Sequence, residues 1–110
     1  MEKVYTEGDW KLFRKRLAGW QEAHMEKLIG EYVELLQGEG VASERFWALD
    51  KRLRDDKRSM GVVINNLRRI DLPHYLTQLI LEGVIEESDL EGFSDKLREN
   101  VLFRRQCLDD

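Results

Sequence analysis

The sequence predicts an all-α protein: a four-helix bundle built on a long antiparallel helical hairpin, about residues 7–37 and 44–70, with two shorter C-terminal helices. Three observations lead there. Apolar residues recur at spacings of three and four through most of the chain. A helix-start signal stands ahead of each of the four periodic stretches. The composition, 42% hydrophobic and 36% charged with a single Pro, suits a small helical protein and not a disordered one. At 110 residues the chain reads as one domain with one modest core.

The first helix opens on the capping-box pattern Thr6-x-x-Asp9. Its apolar seam runs Trp10, Phe13, Leu17, Trp20, His24, Leu28, Tyr32 and Leu35. A second row, Met25, Ile29 and Leu36, points to a second neighbour for the C-terminal half of the helix. "QGEGVAS" at 37–43 supplies the turn, with Gly38 as C-cap and Ser43 as N-cap of the next helix. There the seam reads Phe46, Leu49, Leu53, Met60, Ile64 and Leu67, with a kink expected at "SMG", 59–61. "GVVI" has strand propensity but no partner strand elsewhere, so it is assigned to the helix.

Asp71 followed by Pro73 marks the start of a third helix, about 72–82, which stops at Gly83. "SDLE" at 88–91 is another capping box, and Leu90, Phe93, Leu97 and Val101 share one face of a fourth helix. "RRQCLDD" reads as a frayed tail.

No apolar run is long enough to span a bilayer. The first ten residues lack the apolar core of a signal peptide, and Cys107 is the sole cysteine, so a cytoplasmic location without disulfides is expected. Enzyme motifs are missing. His24 and His74 are far apart, and there is no HExxH, CxxC or Gly-rich phosphate loop. A packed core histidine accounts for His24, and packing accounts for Trp10, Phe13 and Trp20. The expectation is a non-enzyme with no cofactor and no metal.

The net charge of −4 hides a polarity. Residues 43–70 carry eight basic and four acidic side chains, and residues 71–110 carry four basic and ten acidic ones. On a helix of 100° per residue, Trp47, Lys51, Arg54, Arg58, Val62, Asn65 and Arg69 form one row. An aromatic at the head of a basic row suits an acidic partner or a phosphate backbone. Asp50, Asp55 and Asp56 offer local balance, and the acidic 86–99 segment offers cover from within the molecule. Trp47, Lys51, Arg54, Arg58 and Arg69 are therefore the candidate partner-binding residues.

"DWKLFRKRLAGWQEAHMEKL", "FWALDKRLRDDKRS" and "LILEGVIEESDLEGFSDKL" together resemble a group of short cytosolic helical proteins of Gram-positive gut bacteria. Those proteins often carry the label "multidrug transporter". The resemblance implies a helical protein without a membrane span and contributes no functional residues. "LILEGVIEESDLEGF" is also similar to short C-terminal helix–turn–helix modules. The leading expectation is a protein–protein interaction or regulatory protein that works through a helix face, with a protein partner or a second copy of itself as a homodimer. Two alternatives stay open: a nucleic-acid-binding accessory protein using the Lys51–Arg69 stripe, and a mobile-element inhibitor of a defence nuclease of the anti-CRISPR type.

Overall fold

The computed structural model describes residues 3–109. Four α-helices follow one another: α1 (Glu7–Gln37), α2 (Ala42–Asp56), α3 (Leu72–Leu81) and α4 (Asp95–Asp109). Short 3₁₀ turns at Arg69–Asp71 and Glu87–Leu90 lead toward α3 and α4, and no strand occurs among the described residues. No helix is long and apolar enough to cross a membrane.

The start of α1 follows the sequence. Thr6 is the N-cap: its hydroxyl accepts from the Asp9 amide at 3.0 Å, and the Asp9 carboxylate accepts from the Thr6 amide at 2.9 Å. The same carboxylate then reaches across 85 residues. Asp9 Oδ1 accepts from the Ser94 amide at 2.8 Å and Oδ2 from the Ser94 hydroxyl at 2.6 Å. Ser94 stands just ahead of α4, so one buried carboxylate closes two helix N-termini, where backbone N–H groups lack partners and the dipoles favour negative charge.

The core gathers around this junction. Phe13, Leu72, Leu76, Leu79, Leu97 and Val101 are fully buried, joined by Trp10, Tyr75, Ile85, Leu90 and Phe93. Trp10, Phe13 and Tyr75 stack in series, with centroids 5.9 and 5.7 Å apart. Arg16 secures the approach to α4. Its guanidinium donates to the Glu91 carbonyl at 2.6 Å and to the Asp89 carbonyl at 3.2 Å, and lies over the Phe93 ring. Gly83, at φ +75°, turns the chain out of α3 so that the Val84 and Ile85 amides return to the Leu79 carbonyl.

Several expectations need correction. The second helix stops at Asp56 and does not run to 70, leaving residues 57–68 irregular. The cause is tertiary. Glu82 accepts from the Met60 amide and the Ser59 hydroxyl, Gln21 donates to the Met60 carbonyl, and Gly61 is buried against His24 and Val84. A Cβ on Gly61 would lie 2.4 Å from the His24 ring, so only glycine lets the chain pass. Further on, Asn66 adopts φ +53°, which no helix tolerates.

The caps also shift. Val41, not Ser43, is the N-cap of α2, and Arg45 serves the C-terminus of α1 by donating to the Leu36 carbonyl at 2.7 Å. The capping box near 88 is formed by Glu86 and Asp89 and opens the 3₁₀ turn, while α4 begins seven residues after Ser88 at Asp95. Residues 104–109, expected to fray, continue α4, and residue 110 lies outside the described residues, as do residues 1 and 2 of the N-terminal segment.

Nor do the four helices share one core. α2 has no buried residue, and Leu28 is the last buried residue of α1. The chain is accordingly elongated, 57 × 30 × 24 Å. The N-terminal half of α1 with α3 and α4 makes a packed head. The C-terminal half of α1 with α2 makes an arm.

Two stability measurements test this division. Trp20 is only partly buried at the core edge, whereas Phe13 is fully buried. Phe13→Ala should cost about 3–5 kcal/mol in denaturant unfolding and Trp20→Ala clearly less. Equal losses would contradict the packing. The second test is acid. Burial pushes the Asp9 carboxyl up, but hydrogen bonds from Ser94 and Thr6 outweigh it and hold the pKa below the ordinary value. The stability that Asp9 supplies is therefore complete above its unfolded pKa and lost as pH falls through the lower folded one. Asp9→Asn should cost about 1.5–3 kcal/mol at neutral pH, and the gap to the parent should narrow below about pH 4.

Candidate functional site

The predicted basic row assumed an unbroken helix, and α2 ends too soon to provide one. Trp47, Lys51 and Arg54 lie on α2, Arg58 lies in the turn after it, and Arg69 lies in the 3₁₀ turn before α3. Lys51 pairs with Asp55 at 3.2 Å and Arg54 with Asp50 at 3.1 Å, both along the exposed helix surface. Such pairs contribute a few tenths of a kcal/mol and leave the side chains accessible. Arg58 is exposed and makes no ion pair among the described residues. Arg69 does not belong to this surface. It pairs with Glu7 at 2.9 Å and covers the Trp10 ring at 5.8 Å, fastening the loop before α3 to the start of α1.

The acidic C-terminal segment does not cover the row either. Glu87 pairs with Arg105 and Asp95 with Arg98, both within the C-terminal region. Neutralisation of the basic residues comes from Asp50, Asp55 and Glu7, not from residues 86–99.

Polar groups hold the arm together. Tyr32 donates its hydroxyl to Asp56 at 2.6 Å, and Arg52 bridges Glu31 and Asp56 while lying over the Tyr32 ring. Burial and then the bond to Asp56 push the Tyr32 pKa up to about 12, so the phenol stays a donor through the physiological range. Arg52 thus acts as an inward staple between the helices. Helical phase already left Arg52 out of the basic row, though its bridge to Glu31 and Asp56 had no signal in the sequence.

What the arm exposes is apolar. Ile29 is 52% exposed, Val33 and Leu36 are also exposed, and Phe46 and Trp47 each stand at 63%. Phe46 was expected inside the seam of the second helix. It instead meets Trp47 edge-on, with centroids 5.1 Å apart, at the surface. Ile29, Val33 and Leu36 follow at spacings of four and three, one step round the helix from buried Leu28. Phe46 and Trp47 are exposed on α2, the helix that packs against α1. The second row of α1 announced this flank in the sequence; the exposure of Phe46 had no such signal.

Chemistry elsewhere is sparse. His24 is packed against Gly61, His74 is exposed beside Tyr75, and no three of His, Cys, Asp or Glu gather as a metal site among the described residues. No family model matches the chain, and neither a curated protein nor a solved structure matches it.

The different settings of the basic residues predict different responses. Arg54→Glu with Arg58→Glu should leave thermal stability within about 0.5 kcal/mol of the parent. Arg69→Ala should cost roughly 0.5–1 kcal/mol through the lost Glu7 pair and Trp10 contact. Melting curves showing the reverse order would place Arg54 and Arg58 in the fold and Arg69 at the surface.

Proposed function

We propose that this chain is a non-enzymatic protein–protein interaction or regulatory protein that acts through the apolar flank of its arm. One observation carries the reading: a 15-residue helix with no buried residue presents Phe46 and Trp47 in ring contact at the surface, and α1, against which it packs, exposes Ile29, Val33 and Leu36. Contiguous exposed apolar surface of this kind marks association sites. Aromatic anchors with arginine at the rim are the composition that interfaces favour. In this reading the four-helix bundle expected from the sequence is not completed within one molecule. The arm is a helical hairpin whose bundle partners come from outside.

A protein surface fits this flank better than a nucleic acid. The side chains at its centre are apolar, while Lys51 and Arg54 stand at its rim already paired with Asp50 and Asp55. A phosphate backbone requires several uncommitted cations in a line, and only Arg58 among the candidates is uncommitted.

Photo-cross-linking in cells that make the protein tests the reading. A photoreactive residue at Trp47 should yield a defined protein adduct, and the same residue at Lys15, on the exposed side of the head, should not. Phe46→Ser should remove the adduct while unfolding stays within about 0.5 kcal/mol of the parent. If position 47 gives no adduct, or position 15 gives the same one, the arm is not the interaction surface.

A further inference from the structure

We infer that the occupant of the arm's apolar flank is a second copy of this chain: two arms pack flank to flank, with α1 of one copy against α2 of the other, into an intermolecular four-helix bundle. This rests on the preceding reading that the arm is the interaction surface, and it adds the identity of the partner.

The first argument is area. The exposed parts of Ile29, Val33, Leu36, Phe46 and Trp47 amount to roughly 450 Å² per copy, given about 150–250 Å² for each aromatic side chain and somewhat less for each aliphatic one. That lies in the range of the largest apolar patch of a typical monomer, about 300–600 Å². Two copies facing each other remove about 900 Å² of apolar surface from water, which with the charged rim reaches the ~1,000 Å² that a specific interface must clear.

The second argument is charge. Residues 22–37, the α1 side of the arm, carry four carboxylates and one lysine. Residues 42–58, the α2 side and the turn after it, carry six basic and four acidic side chains. Rotating one arm by 180° about the helix direction sets acidic α1 against basic α2 twice over, with every neighbouring pair of helices antiparallel. Glu22 and Glu26 rim the flank on α1 and make no ion pair among the described residues; Lys51 and Arg54 rim it on α2. The surface is self-complementary, which an interface with two-fold symmetry requires and an interface with an unrelated partner does not.

The geometry of the arm agrees. Helices α1 and α2 already touch through the Tyr32–Asp56 bond and the Arg52 bridge to Glu31, so the hairpin is preformed and two such hairpins make a bundle with short loops. Within one copy, α3 and α4 turn Leu72, Tyr75, Leu76, Leu79, Leu97 and Val101 onto Trp10 and Phe13 in the head, while Phe46 and Trp47 stay exposed.

Sedimentation equilibrium of the full chain tests the inference, with charge-swapped rims as the specific control. The parent should sediment at twice 13.1 kDa at high micromolar concentration. Ile29→Glu with Phe46→Glu should return the mass to a single copy with the helical circular dichroism retained. Should that pair unfold the arm, Trp47→Lys alone keeps the test sound, since Trp47 touches only Phe46 among the rings. Glu22→Lys with Glu26→Lys, and separately Lys51→Glu with Arg54→Glu, should each weaken self-association about tenfold by placing like charges opposite one another. An equimolar mixture of these two variants should recover the parent affinity as a heterodimer. A 13.1 kDa species at every concentration overturns the inference, and so does a dimer indifferent to Phe46 and Trp47. A dimer whose charge variants fail to complement in the mixture overturns the α1-against-α2 arrangement. A monomeric parent that still gives an adduct from position 47 refutes only the second copy and leaves the arm as an interaction surface.

Discussion

The Asp9 carboxylate sits where the two ends of the chain meet, and the head is organised around it. It accepts from the amides of Thr6 and Ser94 and from the Ser94 hydroxyl, so it caps α1 from within and braces the start of α4 from outside. A carboxylate is almost wholly buried here at little penalty, because both of its oxygens are hydrogen-bonded and two helix N-termini contribute favourable potential. With those termini tied together, Leu97 and Val101 on α4 are brought onto the stack of Trp10, Phe13 and Tyr75 that fills the centre. Arg16, bound to the carbonyls of Asp89 and Glu91, holds the intervening turn in the same register.

The head buries Leu72, Tyr75, Leu76 and Leu79 of α3 and Leu97 and Val101 of α4, and none of these reaches the arm's exposed residues. Past Leu28, α1 leaves the core and continues for more than two turns with only α2 beside it. Two helices alone enclose no interior, since each has a stripe wider than one neighbour covers. The arm compensates between its helices with polar groups: Tyr32 on Asp56, Arg52 across Glu31 and Asp56, and Arg45 on the last carbonyls of α1. These bonds give it a defined shape. They leave its apolar flank to the solvent.

Some local signals in the sequence held and others, the Ser43 cap and the box at 88–91 among them, did not, while signals that depended on distant contacts failed outright. The capping box of Thr6 and Asp9, the start of α3 beside Pro73, and the shared face of Leu97 and Val101 all read correctly; Leu90 and Phe93, placed on the same helix, precede α4 and reach the core from the 3₁₀ turn and the segment after it. The length of the second helix did not read correctly. Met60, Ile64 and Leu67 kept helical spacing, yet Glu82, Gln21 and His24 pull Ser59 to Gly61 into a turn from positions more than twenty residues away. The error spread to the basic row. Arg69 seemed to continue it only while residues 57–68 were counted as helix, and in the fold it belongs with Glu7 and Trp10. The bond from Asp9 to Ser94 had no local trace at all, since either residue is accounted for by its own helix cap.

The same division bears on the order of the arm. A lone 15-residue helix is marginal in water, and α2 gains little from burial to offset that. Its helicity depends on the Arg52 and Tyr32 contacts with α1, on its i,i+4 pairs, and on whatever covers Phe46 and Trp47. A partner that binds the ordered arm and not a frayed one stabilises it by mass action. The head needs no such help, because its core is complete within one chain. The Asp9 junction therefore secures the head, while the arm is ordered by Tyr32 and Arg52 and keeps Ile29, Val33, Leu36, Phe46 and Trp47 in solvent.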